Sequence, residues 1–225
     1  IKLSARNVDG SRSLEFTSEF ADATFTGPTS YAEIIKYLKT AMSKYLPGLQ
    51  YNTKYDVTAE DGGYSALSAT VKNIDPLLNA ISEGLQIAPG TKLNFMMNPA
   101  QNHLTLRAAS DYVERGKMLA TKLNVNVTNQ GDSLAMYMSL EDLYSGMLHL
   151  PQLSVMGGAK NNRVLLSAGF DDKTDSLSGV MALMAQLRRV EPTGMPCIDV
   201  TLFPATFNVG REQWRVTSDL ISMDS

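Results

Sequence analysis

The fold class that the sequence predicts is mostly β with one or two helices, laid out as an elongated, open antiparallel meander. From residue 91 onward apolar residues recur at every second position in one segment after another, the period of a strand with two unlike faces. Turn-forming residues separate these segments at short intervals. No helical pattern of about 10–15 residues comes between them, which excludes parallel strands joined by crossover helices.

Along the chain, Leu14 with Phe16 and Ala23 with Phe25 mark two strands. Pro28-Thr29-Ser30 then leads into a segment whose apolar residues are Tyr31, Ile34, Ile35, Leu38, Ala41, Met42 and Tyr45. Their spacing of i, i+3, i+4, i+7, i+10, i+11 and i+14 is the stripe of an amphipathic helix, assigned to 29–46. Ser30 and Glu33 make its capping box, Lys36, Lys39 and Lys44 lie opposite the stripe, and Leu46-Pro47-Gly48 ends it. The stripe is expected to dock on the sheet, with Ile35 buried. Strands follow around Tyr55–Val57 and Leu67–Val71, then a short helix at 76–83, with Asp75 as N-cap, Pro76 at its first position and Gly84 beyond its end.

The alternation then runs through Leu93, Phe95 and Met97; Leu104, Leu106 and Ala108; Leu119, Leu123, Val125 and Val127; and Leu134, Met136, Met138 and Leu140. It continues in Leu153 and Val155; Val164, Leu166, Ala168 and Phe170; Met181, Leu183, Ala185 and Leu187; Ile198, Val200 and Leu202; Phe207 and Val209; and Trp214 and Val216. Turns are expected at Asn98-Pro99, Asn129 to Asp132, Gly157-Gly158, Asn161-Asn162, Asp171 to Lys173 and Pro192 to Gly194. The organisation is therefore one fragment over 1–225, with strands and helices in 1–90 and continuous strands in 91–225. Both ends stop in mid-pattern, so the sequence is expected to be a piece of a longer protein.

Composition narrows the function. The 225 residues carry 20 Lys plus Arg against 23 Asp plus Glu, a net charge of −3. The longest basic cluster is Arg188-Arg189, too little for a nucleic-acid partner, which calls for clustered cations. No apolar run approaches the roughly 18–20 residues of a membrane-spanning helix. The single cysteine, Cys197, excludes an internal disulfide, and His103 and His149 have no ligand-type spacing.

A search for chemistry returns none. Glu60-Asp61, Glu141-Asp142 and Asp171-Asp172 sit at or near turns, where Asp is favoured for its local hydrogen bonding. The segment Asp171 to Ser176 fails as a calcium loop, because Lys173 occupies a ligand position and Ser176 stands where Gly is needed. Gly63 to Leu67 lacks the second glycine of a nucleophile elbow. His103 and His149 are expected to face outward from strands, and Cys197 to serve packing. Asn126-Val127-Thr128 matches a glycosylation acceptor, which matters only in a eukaryotic secretory context. The chain is expected to be no enzyme, and no cofactor is expected.

Two arrangements fit the apolar strand faces: an open trough that holds acyl chains, or a closed β-sandwich serving as scaffold or adhesion module. Methionines at 96, 97, 136, 138, 181 and 184 suit variable guests but also fill irregular cores. A carbohydrate-binding domain is disfavoured by the lone Trp214 and the scattered tyrosines.

The segment Leu85 to Asn94 is a strand opened by Gly90-Thr91. Leu123 to Val127 runs into Asn129 to Leu134, Leu148 to Val155 resumes the rhythm, and Phe170 to Gly179 forms another turn between strands. A strand pair with one Trp closes the chain, Thr201 to Val209 and Trp214 to Thr217, followed by Ile221. Near the start, Ser18 to Gly27 precedes a helix ending in Tyr45-Leu46-Pro47. The whole resembles the periplasmic β-rich region of TamB-like proteins, translocation and assembly module subunits of the AsmA-like superfamily. The resemblance implies a taco-like β-groove with an apolar interior, in a periplasmic protein anchored to the inner membrane by a helix outside this sequence. It also implies phospholipid acyl chains as cargo or a role in outer-membrane protein insertion, with an Omp85-type outer-membrane partner engaged through other parts. The faces expected to line the groove are those of Leu123, Val125, Val127, Leu134, Met136, Met138, Val164, Leu166, Phe170, Met181, Leu183, Val200 and Leu202.

Overall fold

The computed structural model describes residues 1–8, 10–47, 63–75, 78, 84–172, 177–190, 195–217 and 219–224. Among the described residues it is one antiparallel β-sheet with a single long helix. Strands β1 (Lys2–Val8), β2 (Ser11–Thr17) and β3 (Ala21–Gly27) form the first meander. Helix α1 (Tyr31–Tyr45) interrupts it, and β4 (Ser65–Val71) returns beside β3. The sheet continues through β6 (Lys92–Asn98), β7 (His103–Arg115), β8 (Met118–Gln130) and β9 (Ser133–Ser139). It then passes to β12 (Ser154–Lys160), β13 (Arg163–Asp171), β14 (Leu177–Val190), β15 (Met195–Leu202) and β18 (Asp219–Asp224).

Three long strands are each shared end to end by two partners. On one side β7 pairs with β6 and with β5 (Leu85–Ile87). On its far side β8 pairs with β9 and with β10 (Asp142–Ser145), which carries β11 (Leu148–Pro151). Likewise β14 pairs with β15 and with β16 (Ala205–Val209), which carries β17 (Glu212–Val216). Periodicity does not distinguish the β10–β11 hairpin, because its four-residue strands are too short to show one. The sheet is open, and among the described residues no second sheet covers it. A closed sandwich therefore does not describe the fold.

The turns expected at Asn98-Pro99, Asn129 to Asp132 and Asn161-Asn162 form, while Lys173 and the turn at Pro192 to Gly194 lie outside the described residues. Asn161 and Asn162 both adopt the left-handed conformation, φ 51° and 63°, as a tight hairpin between β12 and β13 requires. Gly157-Gly158, expected as a turn, instead lies inside β12, where both glycines pair with β9 and β13. At the end of β3 the chain passes so close to β4 that a Cβ on Gly27 would lie 2.3 Å from Ser65 Oγ. That close approach lets the Thr29 amide donate to Ser65 Oγ (3.2 Å) and sets where α1 begins.

The capping box of α1 forms as expected. The Glu33 amide donates to Ser30 Oγ (3.3 Å), and the Ser30 amide donates to Glu33 Oε2 (2.7 Å), satisfying two orphan donors of the first turn. At the other end the Asn162 amide donates to the Tyr45 carbonyl (3.1 Å), tying the helix to the β12–β13 hairpin. The expected burial of Ile35 is overturned: Ile35 is 54% exposed. The docked face is instead Tyr37, Ala41 and Tyr45, which are 5%, 7% and 2% exposed. At 100° per residue Ile35 is one edge of the predicted stripe and Ala41 the other; Tyr37, which the stripe does not include, lies about 40° beyond Ala41, and the helix rolls toward it. The strand expected near 55–57 lies outside the described residues, as does most of the helix at 76–83. Within that stretch Asp75 and Leu78 are helical, with the Leu78 amide donating to the Ile74 carbonyl (3.0 Å).

Candidate functional site

Strand register decides which alternating residues meet. Starting at β2, one row of directly opposed residues runs Leu14, Phe25, Leu67, Phe95, Leu106, Val127, Met136, Gly157, Leu166, Leu183 and Leu202. A second row beside it runs Phe16, Ala23, Ala69, Leu93, Ala108, Val125, Met138, Val155, Ala168 and Met181. The two rows lie on the same face, two residues apart along every strand, and neither contains a polar side chain. With strands about 4.8 Å apart, the first row extends ~48 Å across the sheet.

All thirteen residues expected to line a groove lie on this one face. Val127, Met136, Leu166, Leu183 and Leu202 belong to the first row, and Val125, Met138 and Met181 to the second. Leu134, Val164 and Val200 form a flanking row, through the pairings Leu134 with Ala159, Ala159 with Val164, Val164 with Ala185 and Ala185 with Val200. Leu123 and Phe170 flank the other side, opposite Ser110 and Gly179. The residues that sequence reasoning leaves out are the N-terminal members, Leu14, Phe25, Leu67, Phe95 and Leu106. Their alternation is visible, but only pairing in space joins them to the C-terminal strands.

Helix α1 occupies one margin of this face. Tyr37 packs with Met97 and Leu104, alongside Ile34, Leu38, Phe95 and Leu134. Ala41, Tyr45 and Leu46 pack with Ala159 and Leu187, alongside Met42, Leu134 and Val164. Leu134 and Val164 thus meet the helix, while the other expected lining residues lie outside both helix-centred clusters. Met97 beneath the helix is fully buried, Met181 is 43% exposed, and the other twelve expected lining residues are half-buried. The Tyr37 hydroxyl donates to the His103 carbonyl (3.4 Å), and its pKa is pushed up to about 12, chiefly by burial and secondarily by Tyr45.

The opposite face carries most of the polar groups, paired across strands. Ser68 meets Asn94 (2.9 Å), Arg163 Nε donates to Gln186 Oε1 (2.7 Å), and Arg188 bridges Asp199 with two contacts (2.5 and 3.1 Å). Each such pair satisfies donors and acceptors on a wet surface.

The two histidines and the cysteine have separate surroundings. His149 Nε2 lies 2.7 Å from Asp142 Oδ1 with its ring stacked on Tyr144, all on the exposed β10–β11 hairpin. His103 is half-buried, edge-on to Tyr64. Cys197 is 1% exposed, with its sulfur 4.0 Å from Asp199 Oδ1. Among the described residues no three His, Cys, Asp or Glu side chains gather closely enough to hold a metal, and no helix is long and apolar enough to cross a membrane. Comparison with known proteins returns no match: no family model, no curated relative and no solved structure resembles the chain closely enough to assign it.

Proposed function

We propose that this chain is a non-enzymatic, TamB-like segment of a periplasmic lipid conduit or outer-membrane assembly factor, which shields acyl chains on the apolar face of its sheet. One observation supports this above all others: two unbroken apolar rows cross the sheet, and α1 covers only their margin. An apolar face larger than a few hundred Å² without cover is a liability for a soluble monomer unless a ligand or partner shields it. An acyl chain laid along the rows gains about 0.8 kcal/mol per buried CH2, while its head group stays wet beyond the sheet margin. The rows run across the strands, so a chain can slide from strand to strand without meeting a polar side chain. Phospholipid acyl chains are the proposed cargo. An inner-membrane anchor and an Omp85-type outer-membrane partner, both engaged through parts outside this sequence, complete the proposal, and a nucleic acid has no place in it.

The test is photo-crosslinking in cells. A photoreactive residue at Met136 or Leu166 is expected to capture phospholipid, and one at Glu15 or Asn94, on the other face and on distant strands, is not. Crosslinks to protein alone at both inner positions would refute the conduit in favour of an interaction scaffold.

A further inference from the structure

On the face opposite α1, the row Ala135, Gly158, Leu165 and Met184 is set by direct strand pairing. Gly158 and Ala135 are small and Leu165 and Met184 are large, so the row forms a trench rather than a level surface. Met156, next along β12, walls it. Met156 and Leu165 are 59% and 51% exposed on a face whose other side chains are mostly polar. The resulting cleft measures ≈ 970 Å³, at the upper end of the usual range for small-molecule sites.

One end of the cleft is cationic. Lys160 and Arg163 are direct cross-strand neighbours beside the Asn161-Asn162 turn, and both line the cleft. Among the described residues no carboxylate lines it. Arg163 spends one donor, its Nε, on Gln186 Oε1, which aligns the guanidinium and leaves its terminal nitrogens as further donors.

We propose that this cleft is a binding site, separate from the apolar rows, for a single-chain anionic amphiphile. Its tail lies along Leu165, Met156 and Met184, and its carboxylate or phosphate head is held by Lys160 and Arg163. Aliphatic and thioether walls suit a flexible alkyl chain, and no aromatic platform is present among the lining residues to stack a base. Two cations at one end and none along the walls orient an amphiphile in one direction. The site does not depend on the conduit, because its residues project from the other side of the same strands.

The probe is cis-parinaric acid, a fluorescent fatty carboxylate, titrated beside its methyl ester. The wild-type chain is expected to bind the acid more tightly than the ester, with the difference shrinking as salt rises. Gly158→Leu fills the trench. A Cβ there meets only the Leu134 carbonyl oxygen at 3.5 Å, so the backbone accepts a side chain; with an unfolding midpoint equal to the wild type's, one class of parinarate site is expected to vanish. The double variant Lys160→Ala/Arg163→Ala is expected to lose about tenfold in affinity for the acid and to bind the ester as before. Competition by palmitate or by lysophosphatidylglycerol then tells a carboxylate head from a phosphate head. Unchanged parinarate binding in both variants would overturn the proposal. So would a dimer that Gly158→Leu dissolves, since the trench would then be a contact between two copies. Crosslinks at Met136 and Leu166 are read in the same Gly158→Leu protein, so loss of the cleft and loss of the conduit are told apart.

Discussion

Replacing Tyr45 by Ala tests which face of α1 docks on the sheet. Its ring is 2% exposed among Ala159, Leu187 and their neighbours, at the point where the helix is tied to the β12–β13 hairpin. Truncating a buried aromatic residue costs about 3–5 kcal/mol in lost transfer and residual cavity. Part of that is offset here, because the Tyr45 hydroxyl is buried without a hydrogen-bond partner among the described residues. Removing an unsatisfied hydroxyl returns about 1 kcal/mol or more. The expected net loss is therefore about 2–4 kcal/mol, and at ~2–4 °C per kcal/mol for a chain of this size the melting temperature falls by roughly 4–16 °C. Ile35→Asp is the control. A side chain 54% exposed tolerates a charge, so its effect is expected to stay within about 0.5 kcal/mol. Urea unfolding of the two variants against the wild type decides the matter. A stable Tyr45→Ala beside a crippled Ile35→Asp would mean that the helix docks on its other edge, and the assignment of the covered margin would fall with it.

Two further outcomes follow from local geometry. The Tyr37 hydroxyl titrates at about 12 in the folded chain against the ordinary value near 10, so between these pH values the unfolded chain releases a proton that the folded chain keeps. Stability should therefore fall as pH rises from 10 to 12, and Tyr37→Phe should make that fall shallower in urea titrations at stepped pH; identical slopes would contradict the burial. A Cβ on Gly157 would lie 2.6 Å from Leu166 Cδ2 and 3.3 Å from Met136 Cε, both leaning over the glycine in the first apolar row. Gly157→Val should cost about 1–3 kcal/mol by overpacking, and a midpoint equal to the wild type's would show that these side chains yield freely.

Local chemistry makes the strands, the principal turns and the helix legible in the amino-acid sequence. Alternation at Val125, Val127, Met136 and Met138 is a property of each strand alone, because successive side chains point to opposite faces whatever the partner. Asn161-Asn162 and the Ser30–Glu33 box act within three residues and need nothing else. The β10–β11 hairpin escapes, since four-residue strands carry too few positions to reveal a period.

What only the tertiary structure decided is non-local. The first apolar row exists because Phe25 pairs with Leu67, Leu67 with Phe95, and so on to Leu202, and a slip of one residue in any pairing would have turned part of it to the other side. The roll of α1 toward Tyr37 is equally a matter of partners: its predicted stripe spans about 120° at 100° per residue, and the strands beneath bury Tyr37, about 40° outside it, in place of Ile35. The cleft over Gly158 depends on Leu165 and Met184 standing beside a glycine from another strand. Sequence periodicity assigns residues to faces, but the depth of a face is set by which side chains stand next to one another across strands, and that is fixed by pairing between segments distant in the chain.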